Sequence, residues 1–233
     1  MRRLGYSISR VEGGMGGSPF DDMALFLPDD RPLIFDVGGN VGQSIRNFRS
    51  QFRQARIHSF EPSPSTFATL KSNAGGLNGI NLWNCALGAT AGQLTLIENT
   101  MPEWSSFLPP GEFAYGRIAR ETRVPVTTLD AFCAEHGITA IDVLKSDTQG
   151  YEFEVFQGAE GMFRKNAIRL IYCELIFSEL YKNMASFGRL YDYLTGHGFL
   201  LVSFYGIAYE RRLAGWTDGL FVHRAYLPGP EAG

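Results

Sequence analysis

The feature that most constrains the fold is a repeated alternation between short apolar runs and segments with helical periodicity. The first run, Leu33–Val37, is bounded by Pro32 and by two glycines, and its length and apolar character suit a parallel strand buried on both faces. The apolar residues that follow recur with helical spacing on one face (Val41, Ile45, Phe48 and Phe52).

The same alternation continues along the chain. It predicts further strands over residues 56–60, 80–86, 141–146, 168–175, 199–205 and 220–223, with helical segments between most of them. Residues 93–97 are predicted to form an additional exposed strand or hairpin arm, and 99–120 a long irregular loop. These repeats predict an α/β, doubly wound, mostly parallel sheet with right-handed crossovers and helices on both faces.

The domain organisation predicted from this pattern is simple. No shift in composition divides the chain, so we expect one domain over residues 32–226. An N-terminal arm with a short helix precedes it over 1–31, where Ser18 and Pro19 are typical of a helix start. A flexible tail over 227–233 is expected to follow.

Charge and composition exclude several classes of protein. With 21 Lys and Arg against 24 Asp and Glu, the formal net charge is −3. The overall charge therefore provides no electrostatic attraction to nucleic acid or to an anionic membrane. No uncharged run approaches the length of a membrane span, and the N-terminus lacks the apolar stretch of a secretory signal. We therefore expect a cytoplasmic protein. Its three cysteines are an odd number without paired spacing, which indicates buried thiols rather than disulfides or zinc ligands (Cys85, Cys133 and Cys173).

The turn after the first strand carries the strongest functional signal. It reads D-x-G-x-N-x-G over residues 36–42, and Gly38, Asn40 and Gly42 all tolerate the left-handed conformation that lets a backbone approach a ligand. The spacing differs from the G-x-G-x-x-G of dinucleotide sites. Asp36 would favour a cationic group, such as the ammonium or sulfonium of S-adenosylmethionine, over a pyrophosphate.

A second carboxylate supports a nucleoside ligand. Glu61 ends the next predicted strand, 25 residues after Asp36, where a carboxylate can accept hydrogen bonds from both ribose hydroxyls. The competing interpretation is ordinary turn chemistry with a solvated Glu61.

These residues together resemble the FkbM-type family of S-adenosylmethionine-dependent methyltransferases. The resemblance covers about residues 34–224 and rests on five segments: 34–42, 60–64, 84–88, 144–152, and 174–175 with 180–182. The fourth is the most specific, with a K-x-D-x-x-G-x-E pattern. Gly39 stands where the family often has alanine, and Gln149 where many members have glutamate. Because of the second difference, the resemblance assigns no carboxylate role to position 149.

The resemblance implies a class I methyltransferase sheet of seven strands and O-methylation of a hydroxyl. S-adenosylmethionine is then the methyl donor and S-adenosylhomocysteine the product, with Ala86 among the cofactor-binding residues. Known acceptors of the family include sugars and specialised metabolites. We therefore expect a small-molecule or glycan hydroxyl acceptor, with no nucleic acid or membrane partner, and leave a homo-oligomer open.

Two carboxylates are the candidates for the chemistry. Asp147 ends the fourth core strand, where it could be a general base, a ligand to the amino-acid end of the cofactor, or a helix N-cap. Glu174 ends the fifth and is the candidate second base. With Asp218 the two could bind a divalent cation, but the absence of His and of close spacing does not favour a metal.

The aromatic stretch 104–115 is the candidate lid over the acceptor. Trp104 could pack on a sugar ring, Ser105 and Ser106 could hydrogen-bond a polyol, and Tyr181 is a candidate for positioning the acceptor. Two other functions stay open: a nicotinamide-dependent oxidoreductase, and a non-catalytic nucleoside-binding module with a degenerate methyltransferase fold.

Overall fold

A seven-stranded sheet forms the centre of the molecule. The computed structural model describes residues 14–227, so residues 1–13 of the arm predicted over 1–31 and residues 228–233 of the tail predicted over 227–233 lie outside the described residues. The strands of the large sheet are β1 (Leu33–Val37), β2 (Arg56–Phe60), β3 (Ile80–Trp83), β7 (Ile141–Ser146), β8 (Ile168–Ile176), β9 (Phe199–Glu210) and β10 (Leu213–His223). Three more strands form a small sheet: β4 (Ala86–Leu87), β5 (Gly92–Asn99) and β6 (Ile118–Thr127).

The strand order of the large sheet is β3-β2-β1-β7-β8-β10-β9. Ladders β1–β2, β2–β3, β1–β7 and β7–β8 are parallel, and only β10 runs against its neighbours β8 and β9. The chain leaves β1 towards β2 on one side and returns to β7 on the other. This reversal makes the carboxyl ends of β1 and β7 the switch point, where ligands bind in open α/β sheets.

Helices cover both faces of the sheet, as predicted. They are α1 (Pro19–Ala24), α2 (Gln43–Gln51), α3 (Pro64–Ala74), α4 (Leu129–Glu135), α5 (Glu152–Gln157), α6 (Glu160–Arg164) and α7 (Phe187–Gly196). Helices α1 to α3 pack on one face through Met23, Phe48 and Leu70, and α4 to α7 on the other through residues such as Phe156 and Leu194. The predicted doubly wound fold is confirmed.

The small sheet differs from the sequence-based expectation. The strand predicted over 80–86 is interrupted after Trp83, because Asn84 turns the chain and donates from Nδ2 to the carbonyl oxygens of Glu61 and Pro62 at 2.8 and 3.1 Å. The predicted irregular loop is also too long, since β6 begins at Ile118 and pairs antiparallel with β5. The alternating segment 93–97 is confirmed as part of β5.

The last two strands are longer than predicted because they form one extended hairpin. Its two-residue turn consists of Arg211 and Arg212, both with positive φ values of 46° and 73°. Hairpin turns of this kind usually carry Asn and Gly. Because the turn residues here are two arginines, the sequence carried no signal from which this hairpin turn could be predicted.

The three cysteines are free thiols, with Cys133 and Cys173 buried and Cys85 half-buried. Burial raises the pKa of Cys85 to about 11 and that of Cys133 to about 12. Within residues 14–227, no helix has the length and apolar character needed to cross a membrane.

Candidate active site

Two adjoining clefts lie at the carboxyl ends of β1, β2, β7 and β8. The main cleft has a volume of about 190 Å³ and the side cleft about 300 Å³. Five residues line both of them: Gly38, Asn40, Glu103, Asp147 and Glu174. The switch point of the sheet therefore forms one continuous site with two lobes.

Each cleft also has walls of its own. The main cleft is bounded by the end of β2, the start of β4 and the segment after β5, with Phe60, Glu61, Ala86, Trp104, Ser105, Ser106 and Trp216 among its lining residues. The side cleft faces α1 and α2, with Phe20, Ser44, Asn47, Lys145, Tyr172 and Asp218 among its lining residues.

The glycine turn brings the backbone of β1 against the end of β7. Gly38 has φ +80°, and a Cβ built there would lie 1.9 Å from the carbonyl oxygen of Asp147, so no other residue fits without moving one strand. Asn40 has φ +45°, the left-handed conformation predicted for it. Gly42 is also left-handed but caps α2 against Leu70, and it is not among the residues that line the clefts.

Glu61 faces the main cleft from the end of β2. Its Oε2 accepts the Asn40 N–H at 3.0 Å and its Oε1 accepts the Ser63 N–H at 2.8 Å. Each carboxylate oxygen can accept one further hydrogen bond. Burial raises the pKa of Glu61 to about 7, although both backbone bonds and Lys145 act in the opposite direction. The carboxyl is therefore held rigidly and changes charge near neutral pH.

The structure corrects the position expected for Asp36. Its carboxylate is fully buried beneath the turn and does not line either cleft. It accepts hydrogen bonds from Ser44 and Ser59 at 2.8 and 2.7 Å, and the ammonium of Lys145 lies 3.1 Å away. Lys145 also donates to the carbonyl oxygen of Gly38 at 2.8 Å. Because these partners occupy it, Asp36 stabilises the turn instead of reaching a ligand.

Asp147 and Glu174 lie close together at the junction of the two clefts. The side chain of Asp147 is 46% exposed, and its Oδ2 lies 3.8 Å from the Lys145 ammonium. Glu174 is buried, with only 8% exposure. Burial and the nearby charges of Asp147, Glu152 and Asp218 raise the pKa of Glu174 well above its usual range, despite Lys145. One amide nitrogen, Nε2 of Gln149, donates to both carboxylates at 2.9 and 3.0 Å.

The helix-capping alternative for Asp147 does not hold. Helix α5 begins at Glu152, and Tyr151 occupies its N-cap position without a side-chain hydrogen bond. Instead, Glu152 accepts from the N–H and hydroxyl of Thr148 at 2.6 and 2.9 Å, and this closes the turn after β7. Asp147 is left facing the clefts.

Of the residues predicted to contact the acceptor, three line the main cleft and one does not. Trp104, Ser105 and Ser106 line the main cleft, but both hydroxyls have partners, since Ser106 donates to the carbonyl of Gln149 and Ser105 accepts from the Asn99 N–H. Tyr181 is buried behind this wall and does not line either cleft.

Sequence reasoning missed several residues of the site. Lys145 was visible as the first position of the K-x-D pattern, but its ion pair with Asp36 depends on strand register. Trp216 packs edge-on against Trp104, with ring centroids 5.4 Å apart, and Tyr172 donates to Asp218 at 2.6 Å. Both contacts join segments far apart in the chain, so no local signal could have revealed them.

The charge of the main cleft distinguishes between classes of ligand. Its charged lining residues are Glu61, Glu103, Asp147 and Glu174, and the part of the chain that the structure describes contributes no Lys, Arg or His to this wall. An acidic cleft of this kind favours a cationic ligand and disfavours the diphosphate of a nicotinamide dinucleotide. The acidic residues that line this cleft thus fit a nucleoside that carries a sulfonium charge. Residues 14–227 contain no group of three or more His, Cys, Asp and Glu arranged to hold a metal ion.

Comparison with known proteins agrees with this chemistry. The profile of the methyltransferase FkbM domain matches residues 36–201. A 2-O-methyltransferase, NoeI, from Sinorhizobium fredii is 29% identical over 181 residues, covering 73% of each protein. The 31-O-demethyl-FK506 methyltransferase FkbM of Streptomyces tacrolimicus is 24% identical over 202 residues, covering 73% of this chain and 74% of that protein.

A solved structure shares the fold. The crystal structure of methyltransferase FkbM from Methylobacillus flagellatus superposes with a TM-score of 0.55 at 14% identity, over 83% of this chain. The aligned part is 44% of that longer chain. Since the family profile spans most of the chain and the sheet has the class I methyltransferase order, this chain belongs to the FkbM family of S-adenosylmethionine-dependent methyltransferases.

Proposed function

We propose that this enzyme methylates a hydroxyl oxygen of a small molecule, either a sugar or a specialised metabolite. The observation that carries the proposal is the pair Asp147 and Glu174, which puts a partly exposed carboxylate beside a buried carboxyl group at the junction of the two clefts. The names of two relatives, a 2-O-methyltransferase and a 31-O-demethyl-FK506 methyltransferase, support oxygen as the methylated atom.

The cofactor would lie in the main cleft. Glu61 would accept the ribose hydroxyls on the lone pairs that its two backbone partners leave free. Gly38 and Asn40 would face the amino-acid end, and Ala86 would face the base from the start of β4. Asp36 and Gly42 would contribute indirectly. Asp36 stabilises the glycine turn through its hydrogen bond with Ser44, and Gly42 is the N-cap of α2.

The bound cofactor supplies a methyl group on a sulfonium, which reacts by in-line displacement. The protein must then hold the acceptor oxygen about 3 Å from the methyl carbon, on the side away from sulfur. As the new C–O bond forms and the S–C bond breaks, the hydroxyl proton has to leave. Asp147 would accept this proton, because it is the more exposed carboxylate. Glu174 favours its neutral form and would act as a hydrogen-bond donor, or as a second base at high pH.

The aromatic segment beside the main cleft would hold the acceptor. Trp104 and Trp216 present two nearly perpendicular rings, with 85° between their planes, and such apolar surfaces pack well on sugar rings and macrocycles. Ser106 would contribute shape more than new hydrogen bonds, since its hydroxyl donates to the Gln149 carbonyl and accepts the Leu108 N–H. Ser105 only accepts from the Asn99 N–H, so its O–H would donate to an acceptor molecule. Tyr181 would support this wall from behind, where its hydroxyl lies 3.3 Å from the Trp104 carbonyl oxygen.

Further predictions on domain organisation, location and partners accompany this function. We expect residues 32–226 to act as a single methyltransferase domain in the cytoplasm, with a small-molecule or glycan acceptor and no nucleic-acid partner. A homo-oligomer is compatible with it.

The test is methyl transfer by the purified enzyme, using S-adenosylmethionine labelled in its methyl group and a panel of sugars and hydroxylated metabolites. We expect an O-methyl product, identified by NMR. Asp147→Asn should lower kcat by about 10²–10⁴-fold, the usual contribution of a general base, and leave the Kd for S-adenosylmethionine within about threefold. Asp192→Asn, an exposed aspartate on α7, is the matched control and should keep wild-type activity.

Two results would contradict the proposal. Methylation only at nitrogen or carbon acceptors would exclude the hydroxyl assignment. Equal rates for wild type and Asp147→Asn would remove Asp147 from the chemical step.

A further inference from the structure

The amide of Gln149 lies buried among three functional side chains. Its Nε2 donates to Asp147 Oδ1 at 2.9 Å and to Glu174 Oε2 at 3.0 Å, and its Oε1 accepts from the Tyr181 hydroxyl at 2.7 Å. An amide has two N–H donors and one carbonyl acceptor group. All three are therefore used, and each partner is a different residue.

The direction of this network follows from chemistry. An ionised carboxylate only accepts hydrogen bonds, and a neutral carboxyl group still accepts at its carbonyl oxygen. The NH₂ group of Gln149 therefore faces Asp147 Oδ1 and Glu174 Oε2. Its oxygen then faces Tyr181, which must donate. A glutamate at position 149, as many members of the family have, would bring a third carboxyl group towards the other two and offer at most one donor.

The backbone of Gln149 is also held in place. Its φ is +57°, and its carbonyl oxygen accepts from the Ser106 hydroxyl at 2.7 Å. Through Tyr181, whose hydroxyl also lies 3.3 Å from the Trp104 carbonyl oxygen, the side chain is linked to the aromatic segment. Gln149 thus joins the wall of the main cleft to the carboxylate pair.

We propose that Gln149 is a positioning residue for methyl transfer, whose amide holds the Asp147 carboxylate directed into the cleft while tying it to Glu174. This inference rests on the proposed role of Asp147 as the base.

The charges around the amide make it sensitive to substitution. The ionisable groups that face this junction are Lys145 and Asp147 at the end of β7, Glu152 on α5, Tyr172 and Glu174 on β8, Tyr181 after β8, Asp218 on β10, and Glu103 across the clefts. Lys145 is the only cation in this set. A further carboxylate here would disfavour ionisation of its neighbours.

The decisive variant is Gln149→Glu, measured as a pH profile of kcat. We expect kcat at pH 7 to fall by at least about tenfold, and the acidic limb of the profile to move upward by about one pH unit or more. Raising the pH should restore part of the activity. A loss caused by damaged packing would not recover in this way, and the Kd for S-adenosylmethionine should stay within about threefold.

Gln93→Glu, on the exposed surface of β5, is the matched control and should leave the profile unchanged. Gln149→Asn provides a second variant, since its shorter amide cannot reach both carboxylates. It should lower kcat at least about fivefold without a pH shift. Unchanged kcat and an unshifted profile in both variants at position 149 would overturn the inference.

A readout that does not need activity separates this inference from the proposed function. In protein labelled with ¹³C at aspartate carboxyls, NMR at pH 7 should show the carboxyl resonance of Asp147 displaced in Gln149→Asn and Gln149→Glu, but unchanged in Gln93→Glu, because only the first two lose the hydrogen bond from the amide. An Asp147 resonance identical to wild type in both variants at position 149 would overturn the role of Gln149. If wild type instead methylates no hydroxyl while this shift is seen, the proposed function fails and the positioning of Asp147 stands.

Discussion

At the residue scale, the environment of Glu61 fixes both the orientation and the pKa of a carboxylate that we propose to bind ribose hydroxyls. Two backbone N–H groups fix its orientation and burial raises its pKa to about 7. In the proposed complex the ionised form would accept two ribose hydroxyls, whereas the protonated form would lose one acceptor. Affinity for the cofactor should therefore depend on pH near neutrality.

Replacing Glu61 tests this account. Glu61→Ala should weaken S-adenosylmethionine binding by about 10- to 150-fold, because hydrogen bonds to a charged acceptor contribute about 1.5–3 kcal/mol. In wild type the Kd should rise as pH falls from 8 to 6, since the group accepts a proton on passing through its pKa of about 7. Isothermal titration calorimetry measures both effects.

Glu135→Ala, an exposed glutamate at the end of α4, is the control and should bind normally. Wild-type affinity in Glu61→Ala, or an affinity that is flat across this pH range, would contradict the role of Glu61.

The positions of some single residues could be predicted from the sequence, and those of others could not. The left-handed Asn40, the close approach at Gly38 and the position of Glu61 followed from local spacing. The burial of Asp36 did not, because Lys145 and Ser59 reach it from neighbouring strands. A strand-end carboxylate looks the same in sequence whether it faces a cleft or a buried lysine.

At the scale of elements, the small sheet supports Glu61, which we propose to hold the cofactor, through Ser63. Ser63, the N-cap of α3, donates its N–H to Glu61 and its hydroxyl to Glu98 on β5. Arg120 on β6 donates to both oxygens of Glu98 at 2.7 and 2.9 Å. These bonds, led by that from Arg120, lower the pKa of Glu98 to about 2. The network connects β5 and β6 to the start of α3.

We expect Glu98→Gln to lower the free energy of unfolding by about 0.5–1.5 kcal/mol, because it weakens hydrogen bonds to a buried carboxylate whose main partner, Arg120, is half-exposed and screened by solvent. The sign of the pH effect follows from the lowered pKa. The carboxylate stabilises the fold above the usual Glu pKa of about 4.5, and this contribution is lost as pH falls towards 2. The difference between wild type and variant should therefore shrink over that range.

Urea denaturation at several pH values measures this difference, with Glu121→Gln on the exposed side of β6 as control. An equal free energy of unfolding for Glu98→Gln and wild type at pH 7 would show that the network is dispensable.

Strands that consist of a continuous apolar run were predicted well. Strands whose formation depends on pairing with a neighbouring strand were predicted poorly. Strands β1, β2 and β7 have the predicted bounds. Strand β6 was missed, since its exposed half is polar and gains stability from antiparallel pairing with β5. Its alternation becomes visible only at Val124 and Val126, where the strand enters the core.

At the scale of the whole molecule, topology determines where the chemistry can occur. The reversal of strand order between β1 and β7 brings the glycine turn against the Asp147 backbone, so Glu61 and the carboxylate pair face one continuous site. Alternating strand and helix patterns were sufficient to predict this class of sheet. The course of the β9–β10 hairpin and its contribution of Trp216 required the three-dimensional structure.

The most direct test of the central claim is a crystal structure of the enzyme with S-adenosylhomocysteine. We expect the nucleoside in the main cleft, both ribose hydroxyls within hydrogen-bond distance of the Glu61 carboxylate, and the sulfur directed towards Asp147. A nucleoside bound away from the carboxyl ends of β1 and β2, or one without contact to Glu61, would contradict the assignment of this site.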